Sequence, residues 1–489
     1  MAQNRQANHP CACSAAPSAS QIPGTLPNAR AGGLTRREGL LATLFGTGYI
    51  GLRALATGLP IWYLLDPRKA TAQDLQCMIM AQANMQYLIL STSSMGDPIN
   101  CNCPGTYEKS DIIHPQQSEV ASTMITLGSK SYGAAMPWAP TSVMGGALDP
   151  ATLARINFFH HSTGTTVHGD QPKVMKLLGD LSGGEMYCSA VAKHLAACFH
   201  TVQAEPIALG AFGNASELVS FSGRTLPSIR PTQLKQLLSG SAFDPLAKLQ
   251  SLRDSSLTQL NQLAKSDASM VQQKFLDALA TSQTQVRSLA SQLSNALSSI
   301  SDDGVKGQSL AAAALIAANV TPVVTIHIPF GGDNHSDQDL KQEADQHVTG
   351  VQAIQTLMGN LKSLNLQDKV TFATWNVFGR NLNGISKVTS RAGRDHYGNH
   401  AVTVMIGKNV APGVIGGPVP DSSGAYVASA IDSSTGAASS SGDIKADSTH
   451  DAAARTLAGA LGILASVMAG DFVASAGGKV VAAALTSVP

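Results

Sequence analysis

The stretch "TPVVTIHIPFGGDNH", residues 321–335, is an apolar run that passes directly into glycines, an acid and a histidine. Val323, Val324 and Ile326 put apolar side chains on both faces of a strand, as in a central strand of a parallel sheet covered by helices on both sides. The polar glycine turn then falls at the carboxyl end of that strand, the edge where open α/β sheets gather their ligands. Five other runs share the pattern: "QYLILS" (86–91), "RINFFHH" (155–161), "EPIALGA" (205–211), "KVTFATW" (369–375) and "AVTVMIG" (401–407). Helical segments stand between them, at "QPKVMKLLGDL", "EMYCSAVAKHLAACF", residues 339–364 and "DAAARTLAGALGILASVMA". Strand alternating with helix predicts a doubly wound α/β fold with a mainly parallel sheet and helices on both faces.

One region breaks the alternation. From 231 to 301 there is no strand candidate, while Leu246, Leu249, Leu252, Leu257, Leu260 and Leu263, then Leu276, Leu279, Val286, Leu289, Leu293 and Leu297, recur at helical spacing. The expected organisation is therefore 1–72 as a polar lead and signal, 73–230 as the first part of an α/β core, 231–301 as an inserted helical subdomain, and 302–489 as the rest of the core. The Ser-rich piece 432–448 reads as a flexible surface loop.

A chain of 489 residues with 44% hydrophobic and 13% charged residues is a globular protein, and a net charge of +1 without a long basic run gives no footprint for a nucleic-acid partner. Near the start, Arg36 and Arg37 precede an apolar, Gly-containing stretch, and Ala70 and Ala72 suit cleavage before Gln73. This resembles a twin-arginine export signal, with Gly39 where a bulky apolar residue is usual. It predicts a periplasmic or extracellular protein without a stable membrane span after cleavage. The alternative is a retained anchor at 40–65, against which Arg53 counts. Of seven cysteines, Cys11 and Cys13 fall in the signal. Cys101 and Cys103 suit a structural or disulfide role, and Cys188 and Cys198 suit plain buried thiols.

The strand ends carry the chemistry. "STSSMGDPIN" offers Asp97; "HHSTGTTVHGDQ" offers Thr163, Thr165, Thr166 and His168; "FGGDNHSDQD" offers Asp333 and His335; "TWNVFGRN" offers Asn376 and Arg380. "GRDHYGNH", just before the last run, offers Arg394, Asp395, His396 and His400. Carboxylate and imidazole together are ligands for a divalent metal. His160 and His161, adjacent on one strand, must point to opposite faces.

The order "GGDNH", "FGR", "GRDHY" resembles the exported bacterial family known as domain of unknown function 1501, which carries Gly-Trp-Asp-Thr-His, Ser-Glu-Phe-Gly-Arg and Gly-Arg-Asp-His-Trp motifs in that order. The family is counted among relatives of the alkaline phosphatase and sulfatase superfamily. The resemblance implies a sulfatase-like fold and one or two divalent ions (zinc, manganese, calcium or magnesium), with none in a degenerate site. Asp97, Asp333, His335, Asp395, His396 and His400 would be the metal ligands. Thr166, Thr165 or Thr163 would be the nucleophile beside His168, with Arg380, Arg394 and Asn376 toward a small phosphate or sulfate ester. The chain departs from the family at Asn376 and Val377, which stand where the motif has Ser-Glu, so an expected carboxylate is missing. The competing expectation is a catalytically degenerate fold that binds an envelope or extracellular protein.

Overall fold

The six apolar runs form six strands of one sheet. In this computed structural model the described residues are 85–177, 186–210, 219–221, 224–238, 297–384, 393–463 and 478–487, with isolated positions between 255 and 273. The strands are β1 (Tyr87–Ser93), β2 (Ile156–His161), β3 (Ile207–Leu209), β4 (Ser228–Ile229), β5 (Val323–Ile326), β6 (Val370–Asn376), β7 (Ala401–Ile406) and β8 (Gly413–Ile415). Their order across the sheet is β8-β2-β7-β6-β1-β5-β3-β4. β1, first in the chain, lies between β6 and β5 and is parallel to both. Only β7 runs against its neighbours, antiparallel to β6 and to β2. The fold is thus α/β around a mixed, mostly parallel sheet.

Period-two alternation splits the core into two layers. Leu88 and Leu90 of β1, with Trp375 and Met405, face helices α2 (Tyr187–Phe199) and α6 (Thr449–Ala460). Ile89, with Phe158, Val324 and Phe372, faces α4 (Val305–Ala317) and α5 (Lys341–Ser363). The remaining labelled helices are α1 (Gln171–Leu177) and α3 (Pro231–Leu238). Helix α5 buries Ala344, His347, Val351, Ile354, Leu357 and Leu361, one face at three- and four-residue spacing. Truncating Ile354 there to alanine should cost about 2–5 kcal/mol.

Two expectations need correction. Residues 432–448 are not a loose loop: Ile431 and Ile444 are fully buried and exchange backbone hydrogen bonds, while Asp432 and Asp443 accept from Ser434 and Ser433. Its Asp and Ser residues make local turns, which composition alone does not separate from flexibility. Cys101, Cys103 and Cys188 are buried thiols outside any disulfide, whereas Cys198 is disulfide-bonded.

The segment 1–72, expected to be a signal, lies outside the described residues, as does most of 231–301. Of that region, α3 is a helix, Leu297 is buried beside Ile300, and Leu263 is exposed. No helix among the described residues is long and apolar enough to cross a membrane.

Candidate metal centre

The reversed direction of β7 brings "GRDHYGNH" to the site. A loop preceding an antiparallel strand lies at the edge where the parallel strands end, so 393–400 joins the loops after β1, β2, β5 and β6. Asp97, in the turn after β1, accepts hydrogen bonds at Oδ1 from the N–H of Phe330 (3.0 Å) and of Gly332 (2.7 Å), tying that turn to the loop after β5. Gly96, at φ +66°, permits the approach of Phe378, whose ring occupies the space a Cβ would need. Gly393 likewise lies so close to Asn334 that a side chain would strike its carbonyl, and the Gly393 N–H donates to His335 O at 2.6 Å. Arg380 pairs with His396 across a two-residue antiparallel bridge.

Three imidazoles gather around the Asp333 carboxylate. His168 Nε2 lies 3.3 Å from Oδ2, and the Nε2 atoms of His335 and His396 each lie 3.3 Å from Oδ1. Arg380 Nη2 donates to Oδ1 at 2.8 Å. Partial burial pushes Asp333 up, but the bond and charge of Arg380, then His335 and His168, outweigh it and hold the carboxyl below its ordinary range.

The tautomers follow from the backbone. His168 Nδ1 is 2.6 Å from Ser94 O and His396 Nδ1 is 2.8 Å from Thr166 O. A carbonyl only accepts, so each Nδ1 carries the proton and each neutral ring presents an Nε2 lone pair to the cluster. For His396 the neutral form is favoured, because burial and then the charge of Arg380 lower its pKa. A lone pair facing a carboxylate needs a proton or a metal cation between them, and a backbone-held Nδ1–H is the usual support of a metal-binding histidine.

The donor set fits an ion. Ligand atoms of His168, Asp333 and His396 lie within 4.8 Å of one another, and ligand atoms around a tetrahedral zinc are about 3.3 Å apart. His335 plays a different part. Its Nε2 is 2.7 Å from that of His396, a hydrogen-bond separation, and its Nδ1 faces Asp395 Oδ1 at 3.6 Å. His335 is thus placed to hold a proton between His396 and Asp395.

The other expected residues are placed as follows. Asp97 is buried behind the cluster, its Oδ2 3.9 Å from His327 Nε2; burial raises its pKa, but His327, Ser93 and the Phe330 N–H bring the net shift down. His400 is in a separate interior chain with His160 and Asn100. The Thr165 hydroxyl donates to Asp170 and that of Thr163 to Gly398 O, whereas the exposed Thr166 makes no side-chain hydrogen bond among the described residues. Asn376 donates to Asp97 O. The arginines expected to clamp an ester have no exposed side-chain surface. Arg380 donates to the carbonyls of Gly96, Met95 and Gly332 as well as to Asp333; Arg394 pairs with Glu343 and donates to three carbonyls. Val377 is fully buried in the apolar layer under α2, its N–H bonded to Ser93 O.

Phe378, which the sequence reading passed over, packs its ring 4.4 Å from that of His396 and 5.0 Å from that of His168. Its signal was the shared Phe-Gly-Arg, read for its arginine alone.

Fold and site define an α/β protein with a histidine–aspartate cluster at the carboxyl edge of its sheet. The family described as "Protein of unknown function (DUF1501)" matches residues 187–436, and the chain belongs to that family. No curated protein matches the chain.

Proposed function

We propose that this chain is an exported metal-dependent hydrolase of phosphate or sulfate esters, related to the alkaline phosphatase and sulfatase superfamily, with one divalent ion held by His168, Asp333 and His396. The observation that carries the reading is the pair of Nε2 lone pairs, fixed by Ser94 O and Thr166 O, that converge on the Asp333 carboxylate. Three protein ligands in a partly exposed site leave a position for substrate. When bound, the ion would act as a Lewis acid on an ester oxygen and make a nearby hydroxyl or water more acidic. Thr166, exposed and joined through its carbonyl to His396, carries the one uncommitted hydroxyl among the three candidates. The disulfide at Cys198 supports an oxidising compartment, in keeping with export to the periplasm or beyond.

The test is metal analysis and titration of the mature chain with zinc, manganese, calcium and magnesium, followed by turnover of aryl phosphate and aryl sulfate esters. One equivalent of metal and hydrolysis, both lost in Asp333→Asn, are expected. Metal without hydrolysis would leave the second reading, a sulfatase-like fold serving as an envelope or extracellular binding protein. That reading is favoured by one observation, the burial of Arg380 and Arg394, which leaves neither guanidinium open to an ester. Absence of metal binding would sink the hydrolase reading.

A further inference from the structure

The two carbonyls that fix the ligand tautomers are each followed, one residue on, by an exposed apolar side chain. Ser94 O meets His168 Nδ1, and Met95 after it is 40% exposed; Thr166 O meets His396 Nδ1, and Val167 after it is 55% exposed. Consecutive Cα atoms are about 3.8 Å apart, so both side chains begin beside the cluster. None of the other exposed large apolar side chains among the described residues, Met124, Val143, Met144 and Leu263, is next in sequence to a residue bonded to the cluster.

Both are presented by a fixed backbone. Met95 O accepts from Arg380 Nη2 at 2.8 Å and the Met95 N–H donates to Ser93 Oγ at 3.1 Å, while the Val167 N–H donates to Thr165 Oγ1 at 3.2 Å. A single exposed apolar residue needs no explanation. Two of them flanking one polar cluster do, because leaving both in water forgoes burial that a ligand can restore. Apolar walls around a few polar groups are also the usual make-up of a small-molecule site.

The surrounding charges set the headgroup. Asp333 is matched by Arg380, whose side chain has no exposed surface, and Arg394 is sealed against Glu343. Lys173 is held toward Asp170 at 3.7 Å. Asp395, half exposed and 3.6 Å from His335, is left to offset one of the two charges of a divalent ion. A ligand then meets about one positive charge in excess. A singly charged headgroup neutralises it. A doubly charged one would bring a second negative charge up to Asp395, with neither guanidinium open to receive it.

We propose that the candidate metal centre takes esters that carry one negative charge and an apolar group, with the charged oxygens at the ion and the apolar group against Met95 and Val167. Sulfate monoesters and phosphate diesters share that chemistry; phosphate monoesters, which bear close to a second charge at neutral pH and above, do not. The inference rests on the reading of His168, Asp333 and His396 as metal ligands. Met95, unbranched and adaptable, suits apolar groups of more than one shape.

The experiment first measures zinc uptake by the full mature chain, then titrates the zinc-loaded protein by calorimetry, at mildly alkaline pH, with analogues whose organic group is joined through carbon. Benzenesulfonate stands for a sulfate monoester and monomethyl phenylphosphonate for a phosphate diester; methanesulfonate lacks the large apolar group, and phenylphosphonate carries the second charge. At least one of the first two should bind about tenfold tighter than either of the last two, and the tighter of them tells sulfate from phosphate diester. Met95→Ser together with Val167→Ser should remove that roughly tenfold advantage over methanesulfonate, with zinc affinity and methanesulfonate binding unchanged. Ester turnover tests the function proposed above and these titrations test the ligand class, so the two fail separately. No zinc uptake would sink both. Zinc uptake with methanesulfonate or phenylphosphonate bound as tightly as the apolar monoanions, or with their binding untouched by the double substitution, would overturn this proposal and leave the metal centre standing.

Discussion

Two groups of histidines lie at the same end of the sheet, and they obey opposite rules. In the interior chain, Asn100 Nδ2 donates to His400 Nδ1, His400 Nε2 donates to His160 Nδ1, and His160 Nε2 donates to Pro104 O, at 3.1, 2.9 and 3.0 Å. His161 closes a second circuit, donating from Nδ1 to Ser162 O and accepting at Nε2 from Thr403. Every nitrogen of these three rings is matched in the neutral state, so the group needs no ion. At Asp333 the same accounting leaves the His168 Nε2 lone pair directed at a carboxylate, and that of His396 shared between the carboxylate and His335 Nε2. What separates a packed histidine from a candidate ligand is therefore the partner of its other nitrogen, which in both groups is set by a backbone or side-chain group the sequence does not flag.

Acid should break the interior group first, with the largest effect. Burial lowers the pKa of His160 and of His161 to about 4, and that of His450 and of His347 to about 3. The unfolded chain binds these protons near pH 6.5 and the folded one does not, so the stabilisation is complete above about pH 6.5 and is lost as pH falls toward 4. Each such histidine withdraws up to about 2.7 kcal/mol between pH 6.5 and 4.5. Urea melts across that range should show a steep loss of stability. A flat profile would mean that these rings are solvated or already charged.

Next in size is Glu343→Gln, which strands the buried Arg394 guanidinium. Loss of about 3–5 kcal/mol is expected from chemical denaturation, with the metal response of the remaining folded protein intact. Metal itself should separate the two histidine groups more finely. Zinc at a hundred times its dissociation constant should add about 2.7 kcal/mol of stability. His168→Ala should abolish that gain. His400→Asn should lower stability and leave the gain in place; if His400→Asn removed it too, the division between the groups would fail. The smallest effect is expected from Asp395→Asn, which touches the cluster only through His335. Metal affinity should fall about tenfold, the low end for a residue that supports a ligand without binding the ion.

The legible part of the fold was its two-faced apolar strands. All six runs became strands of the one sheet, because Val, Ile and Phe on both faces leave few alternatives to a covered sheet. The two missed strands of that sheet, Ser228–Ile229 and Gly413–Ile415, are edge strands of two and three residues with no period to detect. The helix Val305–Ala317 also escaped, since it is buried nearly all round and shows no polar face. Strand direction is absent from local sequence, and so was the reason that "GRDHYGNH" reaches the site from in front of its strand.

At the site, the Asp-x-His and Asp-His motifs led to Asp333, His335 and His396. They could not reveal that Arg380 and Arg394 would be interior groups bonded to carbonyls. The same two motifs grouped His400 with His396, four residues away, although His400 sits one residue before the inward-facing start of β7 and is buried with His160.

The placement of β1 governs how the chain must acquire its shape. Gln86, at the entrance to that strand, donates to the carbonyl of Asp368, 282 residues further along. Both neighbours of β1, Val323–Ile326 and Val370–Asn376, come from the second half of the chain, so on the ribosome both its edges must wait until much of that half has emerged. Pairings of such long range are slow and leave intermediates prone to aggregation. The middle of the sheet consequently closes late, and the three ligand loops, drawn from residues 168, 333 and 396, can meet only after it has.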